Sequence, residues 1–151
     1  MRWEGVGDRW SGRAKVVASL IAPGSSVLDF GAGACGLGRL LDPSCAYTPV
    51  DLPGVDMNAG LWPEGRWDVA VLSGVLEYAD DPGEVLSRLR LLAGEAVITY
   101  DHGPAFRSDF TNHLAEEDLR DLALRADWAD ARIVGWWKMT RTQLQAIWKL
   151  S

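Results

Sequence analysis

An α/β fold, with a mostly parallel sheet and helices on both faces, is predicted for this 151-residue chain by two observations. Short apolar runs alternate with segments of helical spacing, the pattern of strands that return through crossover helices. The first of these runs, Val27-Leu28-Asp29-Phe30, opens into a loop with glycines at 31, 33, 36 and 38. A strand, a tight glycine turn and a helix N-terminus are how α/β proteins build nucleotide sites, because missing Cβ atoms let a ligand approach the backbone N–H groups.

The elements follow in order. Trp10, Ala14, Val17, Ala18 and Ile21 recur at helical spacing until Pro23-Gly24 stops them, so a helix precedes the first strand. Strands are predicted over residues 26–30, 46–50, 67–72 and 95–100, and Leu37-Gly38-Arg39-Leu40-Leu41 after the glycine loop reads as helical. Asp81-Pro82-Gly83-Glu84 is a helix start, with Asp81 as N-cap, Pro82 at the first position and Glu84 at the third. Val85, Leu86, Leu89 and Leu92 make its buried face. A further helix spans residues 116–126 with Leu119, Leu122 and Ala123 inward, and residues 131–137 and 142–150 read as closing strands, a hairpin around 138–141. No repeat or low-complexity tract divides the chain, so residues 1–151 are read as one domain.

Composition narrows the functions. Hydrophobic residues make up 48% and charged residues 24%, ordinary for a soluble globular protein. No apolar run approaches the roughly 20 residues of a membrane span, and Met1-Arg2-Trp3-Glu4-Gly5 has no signal-peptide apolar core, so a cytoplasmic protein without a membrane partner is expected. A net charge of −6 argues against non-specific nucleic-acid binding. Cys35 and Cys45 form no disulfide framework and read as free thiols. No His/Cys spacing fits a metal site. The eight tryptophans are core or pocket wall.

Gly31, Gly33 and Gly36 match the dinucleotide fingerprint G-x-G-x-x-G. Asp29, two residues before the first glycine, points elsewhere. Its carboxylate repels a pyrophosphate and attracts a cation, and S-adenosylmethionine (SAM) has an ammonium and a sulfonium but no phosphate. Val27-Leu28-Asp29-Phe30-Gly31-Ala32-Gly33 resembles the first motif of the class I SAM-dependent methyltransferases. One departure is Cys35, where many members have a third glycine, with Gly36 one place later. The resemblance implies a Rossmann-like doubly wound sheet with an antiparallel last strand, SAM as cofactor and S-adenosylhomocysteine (SAH) as product. It also accounts for the leading helix, which dinucleotide-binding domains often lack.

Within that resemblance Asp29, Gly31, Ala32 and Gly33 belong to the cofactor site. Asp51, followed by Leu52, ends the second strand, where one carboxylate can accept both ribose hydroxyls. NAD sites use the same device. Too few residues separate Asp51 from the next strand to hold a helix, and the resemblance assigns Asp56 to the adenine amino group and Met57 to the adenine ring. Met57 also reads as ordinary core, and Asn58 as a turn residue. Ser73-Gly74-Val75-Leu76-Glu77-Tyr78 resembles the segment that often ends Leu-Glu-His, with Tyr78 in place of the histidine. Ser73 and Gly74 fall at the carboxyl end of their strand, where open α/β sheets bind ligands.

Methyl transfer from a sulfonium is an in-line displacement in which the protein aligns the nucleophile and excludes water. A base is needed only where the acceptor must lose a proton. Tyr100, His102 and His113 are the catalytic candidates, with Asp101 and Asn112 nearby; the two histidines also read as surface-loop residues. Arg13 is a candidate for a forked pair with the SAM carboxylate, or a solvated helix charge. Trp3, Arg9, Trp10, Phe106 and Phe110 are candidate pocket walls. The expected function is methyl transfer to a small-molecule acceptor, since no appended domain is present to grip a macromolecule; a protein partner or a second copy of the chain can supply the missing surface. The alternatives are SAM or SAH binding without turnover, a partner subunit with an exposed tryptophan patch, and an NAD-dependent oxidoreductase, which needs a separate substrate domain.

Overall fold

The computed structural model describes residues 7–103, 109–138 and 143–151, with side chains from residue 11 onward. Three α-helices, α1 (Gly7–Ser19), α2 (Pro82–Leu92) and α3 (Glu116–Arg125), surround a six-stranded sheet. The strands are β1 (Ser26–Phe30), β2 (Ala46–Val50), β3 (Trp67–Ser73), β4 (Ala93–Tyr100), β5 (Ala131–Lys138) and β6 (Leu144–Leu150), in the spatial order β2-β1-β3-β4-β6-β5. β1, β2, β3 and β4 are mutually parallel, while β6 runs antiparallel to both β4 and β5. The fold is the Rossmann-like α/β class expected, with its reversed last strand.

The period of two along the strands sorts the core into two layers. Leu28, Phe30, Ala70, Leu72, Ala96, Ile98 and Trp148 face α2 and α3, which contribute Val85, Leu86, Leu89, Leu119 and Ala123. Val27, Val69, Val71, Val97 and Ile147 face the opposite side, where Val17 of α1 and Ile21 just beyond it pack with Leu37 and Leu41. Asp81 caps α2 as expected, accepting a hydrogen bond from the Glu84 N–H.

One expected element is absent. Residues 37–41 form successive turns instead of a helix, closed by bonds from Gly38 N to the Cys35 carbonyl and from Leu40 N and Leu41 N to the Leu37 carbonyl. Five residues containing a glycine cannot sustain a helix nucleus against its entropy cost. Leu37 and Leu41 still supply the apolar cover a helix would have given. The glycine loop therefore leads into turns, and no helix N-terminus stands behind it.

The loop keeps a left-handed turn at residue 35 although the residue is cysteine, with φ of 59°. An L side chain in that region costs roughly 1–2 kcal/mol, partly offset in glycine by about 0.5–1 kcal/mol of extra unfolded-chain entropy. Cys35→Gly is therefore expected to stabilise the protein by about 0.5–1 kcal/mol. Denaturant unfolding checks this; a midpoint that falls on substitution contradicts the strain.

Candidate functional site

The parallel strands end on one edge of the sheet, and the expected site residues gather there. Asp29 lies on the α1 face of β1 and is buried. Its Oδ2 accepts a hydrogen bond from the Tyr47 hydroxyl at 2.5 Å, across the β1–β2 pair. Burial is the main reason its pKa rises to about 6; the Tyr47 bond opposes the rise, the nearby Asp51 charge adds to it, and Arg13 opposes it. Tyr47, unnoticed in the sequence, is thus the chain's own partner for this acid. Its position two residues from Pro49, the register partner of Asp29, places both side chains on one face.

The glycine loop closes on itself more than expected. Gly31 N and Ala32 N donate to the Val50 carbonyl at 2.8 and 3.1 Å, and Gly33 N donates to Asp51 Oδ2 at 2.7 Å. These amides therefore serve the β1–β2 junction and do not form an open cradle. Gly31 is required by packing, since a Cβ there would lie 2.5 Å from Val75 Cγ2. At Gly33 a Cβ would meet nothing within 4 Å, so this glycine faces open space beside Asp51. Asp51 is exposed and its Oδ1 takes the Leu52 N–H at 2.8 Å; Leu52 itself is exposed. A carboxylate has further lone pairs, so Asp51 retains acceptor capacity for a diol.

Asp56 and Met57, the residues expected at the adenine, lie in a turn between β2 and β3. Asp56 Oδ1 accepts from Asn58 N and Ala59 N, closing a local turn whose ends pair Asp56 with Leu61. Met57 is partly buried and packs against the α2–α3 core layer. Asn58 ties this turn to residues 78–80, donating to the Tyr78 carbonyl and accepting from Asp80 N.

Arg13 crosses from α1 to the ends of β3 and β6. Its guanidinium donates to Gln145 Oε1 at 3.1 Å and to the Ser73 carbonyl at 3.4 Å. It lies so close to the backbone that a Cβ on Gly74 would come within 2.8 Å of it. Gly74 N in turn donates to Thr99 Oγ1. Burial lowers the Arg13 pKa to about 10, against the opposing pull of Glu77 and then Asp29. The solvated reading of Arg13 is thereby corrected: it is a half-buried cation among buried acids. Glu77, only 1% exposed in the 3-10 turn Leu76–Tyr78, is the functional candidate that sequence reasoning passed over. Its Oε1 has no hydrogen-bond partner among the described residues. Burial pushes its pKa up to about 8, Arg13 opposing and Asp101 and Asp109 reinforcing. An acid directly after Val75-Leu76, in an apolar run, was the available signal.

The catalytic candidates fare differently. The Tyr100 side chain is buried, donating its hydroxyl proton to Asn112 Oδ1 and accepting from Leu114 N. His102 Nε2 accepts from the buried Trp148 indole at 3.0 Å, which leaves the ring proton on Nδ1 to donate to the Leu114 carbonyl at 2.8 Å. Both ring nitrogens are committed, so Tyr100 and His102 fasten the loop and offer no open base. Asn112 completes the fastening by donating to the Leu76 and Ala79 carbonyls, while Thr111 N and Asn112 N donate to the Glu77 carbonyl. His113 is exposed, 6.1 Å from the Phe110 ring, and Phe110 meets Tyr78 edge-on at 5.6 Å. Trp3 and Phe106, and the side chains of Arg9 and Trp10, lie outside the described residues. Among the described residues no three His, Cys, Asp or Glu side chains stand close enough to hold a metal ion, and no helix is long and apolar enough to cross a membrane.

No protein-family model and no curated protein sequence matches this chain. Solved structures do. A SAM-dependent methyltransferase from Aquifex aeolicus superposes with a TM-score of 0.66 at 13% identity, over 96% of this chain and 94% of that one. Magnesium protoporphyrin IX methyltransferase from Synechocystis, with SAH bound, gives 0.68 at 15% identity over 94% and 83%. A candidate O-methyltransferase from Nostoc punctiforme gives 0.67 at 13% identity; 95% of this chain is covered but only 57% of that longer protein. The chain has the fold of the class I SAM-dependent methyltransferases.

The buried acids make the stability of this edge pH-dependent. Glu77 and Asp29 have folded pKa values, about 8 and about 6, above their ordinary values of 4.5 and 3.8. The folded protein therefore holds protons that the unfolded chain has released, and stability falls as pH rises through this window. Thermal melts between pH 5 and pH 8.5 are expected to show a falling midpoint, and Glu77→Gln is expected to flatten the fall and raise the midpoint at the alkaline end. A variant that melts lower than the parent at pH 8 would show that Glu77 is held ionised and paired.

Proposed function

We propose that the chain binds SAM at the carboxyl edge of β1, β2 and β3 and transfers its methyl group to a small-molecule acceptor. The observation that carries the reading is the pair of acids on either side of Gly33: buried Asp29 at the end of β1, and exposed Asp51, hydrogen-bonded to the Gly33 amide. A dinucleotide is disfavoured, since its pyrophosphate would face both carboxylates across a loop whose first three amides are already engaged.

The residues present fit SAM. Asp29 would hold the α-ammonium, and the Ser73 carbonyl beside it is a second acceptor. Asp51 would accept the ribose hydroxyls over the open face of Gly33. Arg13 would turn from Gln145 and Ser73 toward the carboxylate in a forked pair. The adenine would lie between Leu52 and the turn at residues 56–61, against Met57 and with the second Asp56 oxygen toward its amino group. SAM supplies a methyl carbon already activated by sulfonium, so alignment and water exclusion are the protein's share. The SAH held by the Synechocystis enzyme supports the same ligand class here. A second reading, SAM or SAH binding without turnover, is favoured by the commitment of Tyr100 and His102 to structural hydrogen bonds.

Calorimetric titration with SAM, SAH and NAD tests the proposal; saturable binding of SAM and SAH without NAD is expected, and NAD binding alone defeats it. Asp51→Ala is expected to weaken SAH roughly 10–100-fold, the worth of a lost charged hydrogen-bond pair, with the melting curve preserved. SAH affinity is also expected to fall below pH 6, approaching about tenfold per pH unit, as Asp29 takes up a proton. A flat profile from pH 5 to pH 7 would remove Asp29 as the ammonium's partner.

A further inference from the structure

Arg13 lies between two acidic groups. On one side is Asp29, whose acidic neighbour is Asp51. On the other is Glu77, whose acidic neighbours are Asp101 at the end of β4 and Asp109 on the returning loop. The first group belongs to the cofactor reading; the second has no role in it. Asp101 is buried, with its Oδ1 accepting from Gly103 N. The Asp109 charge acts on the Tyr78 hydroxyl and Tyr78 meets Phe110 edge-on, so two rings stand beside these acids.

A buried carboxyl with an unpartnered oxygen costs free energy unless a ligand satisfies it. In this structure the cation facing Glu77 from α1 is a guanidinium supplied by the chain itself. Carboxylates with aromatic faces are the surroundings an organic ammonium prefers. The acids are too dispersed to share a metal ion.

We propose that Glu77, with Asp101 and Asp109 around it and Tyr78 and Phe110 as the wall, receives the ammonium of an amine acceptor and takes up its proton. This rests on the methyl-transfer reading above. As Arg13 turns to the SAM carboxylate, the acceptor's ammonium replaces it beside ionised Glu77. One N–H proton passes to Glu77 Oε1. The freed nitrogen lone pair forms the N–C bond to the methyl group while the C–S bond breaks, its electron pair remaining on sulfur. The products are a methylated ammonium, SAH and protonated Glu77, which returns its proton to solvent when the site opens. Charge balances at +1 on both sides.

The test uses the full chain saturated with SAH. A panel of primary amines, headed by 2-phenylethylamine, is titrated beside 2-phenylethanol and 3-phenylpropionate, and SAH production from SAM is followed with each. The expected result is binding and turnover with amines alone, proton release on amine binding at pH 7 in buffers of different ionisation enthalpy, and a rate that rises through about pH 8. Burial sets most of that midpoint, and the charged groups acting on Glu77 are Arg13, which lowers it, and Asp101 and Asp109, which raise it. Glu77→Gln, which keeps shape and removes the base, is expected to lower kcat roughly 100-fold or more while SAH affinity is unchanged. Asp101→Asn, which keeps the bond to Gly103, is expected to weaken amine binding alone. Preference for the alcohol or the acid, silence across all amines in SAH-loaded protein, or an unchanged rate and pH profile in Glu77→Gln would overturn the assignment. Failure of SAH itself to bind would remove the methyl-transfer reading, and this inference with it.

Discussion

The guanidinium of Arg13 is where α1 and the ends of β3 and β6 meet. It has buried acid on both sides and eases the ionisation of each, because a carboxylate taken out of water is costly to ionise without a nearby cation. That requirement fixes much around it. α1 has to cross the β3 end closely enough for Arg13 to reach the Ser73 carbonyl, and residue 74 has to be glycine to leave room. Gln145, at the start of β6, is buried at the same point because its oxygen serves the same cation. The two halves of the proposed site are therefore electrostatically joined: a change that moves Arg13 alters the charge felt by Asp29 and by Glu77 together.

The halves differ in construction. The acceptor side is fastened by overlapping hydrogen bonds, from Tyr100 through Asn112 to the Leu76 and Ala79 carbonyls, and from His102 to Leu114 and Trp148. The nucleoside side is built from turns, residues 31–41 and 51–61, on β1 and the edge strand β2. Preorganised donors and acceptors make a site selective for what it binds; turns let a site adapt. Under the proposed function, a reacting group positioned by the first half and a nucleoside gripped by the second would suit the division of work between catalysis and cofactor exchange.

Much of the fold is legible in the sequence because local signals agreed with the tertiary outcome. Residues 26–30 and 46–50 are strands at the expected bounds, and Asp81 with Pro82 starts α2 where its cap and fixed φ require. Leu37, Leu40 and Leu41 misled, since leucine spacing reports which residues are buried and does not reveal that too few residues are present to close helical hydrogen bonds. The site is legible only as far as single residues carry it. Asp29 and Asp51 announce themselves at strand ends. The Tyr47–Asp29 bond needs the β1–β2 register, and the fastening role of Tyr100 and His102 needs Asn112, Leu114 and Trp148 brought together from as many as 46 residues away. Glu77 was hidden by its likeness to a familiar motif, whose next residue drew attention first.

The place of β6 has a consequence for how the sheet is assembled. Among the described residues β6 is the last strand in sequence, yet it lies between β4 and β5, and β5 pairs there with β6 alone. During synthesis β5 therefore emerges with no strand to pair with, and β4 waits with one edge open. Trp148, fully buried and bonded to His102, arrives with β6. Until then His102 lacks its bond to Trp148, and both strand edges are templates for the wrong partner. This edge of the sheet is thus completed only once β6 has been made, so the proposed site forms late and all together.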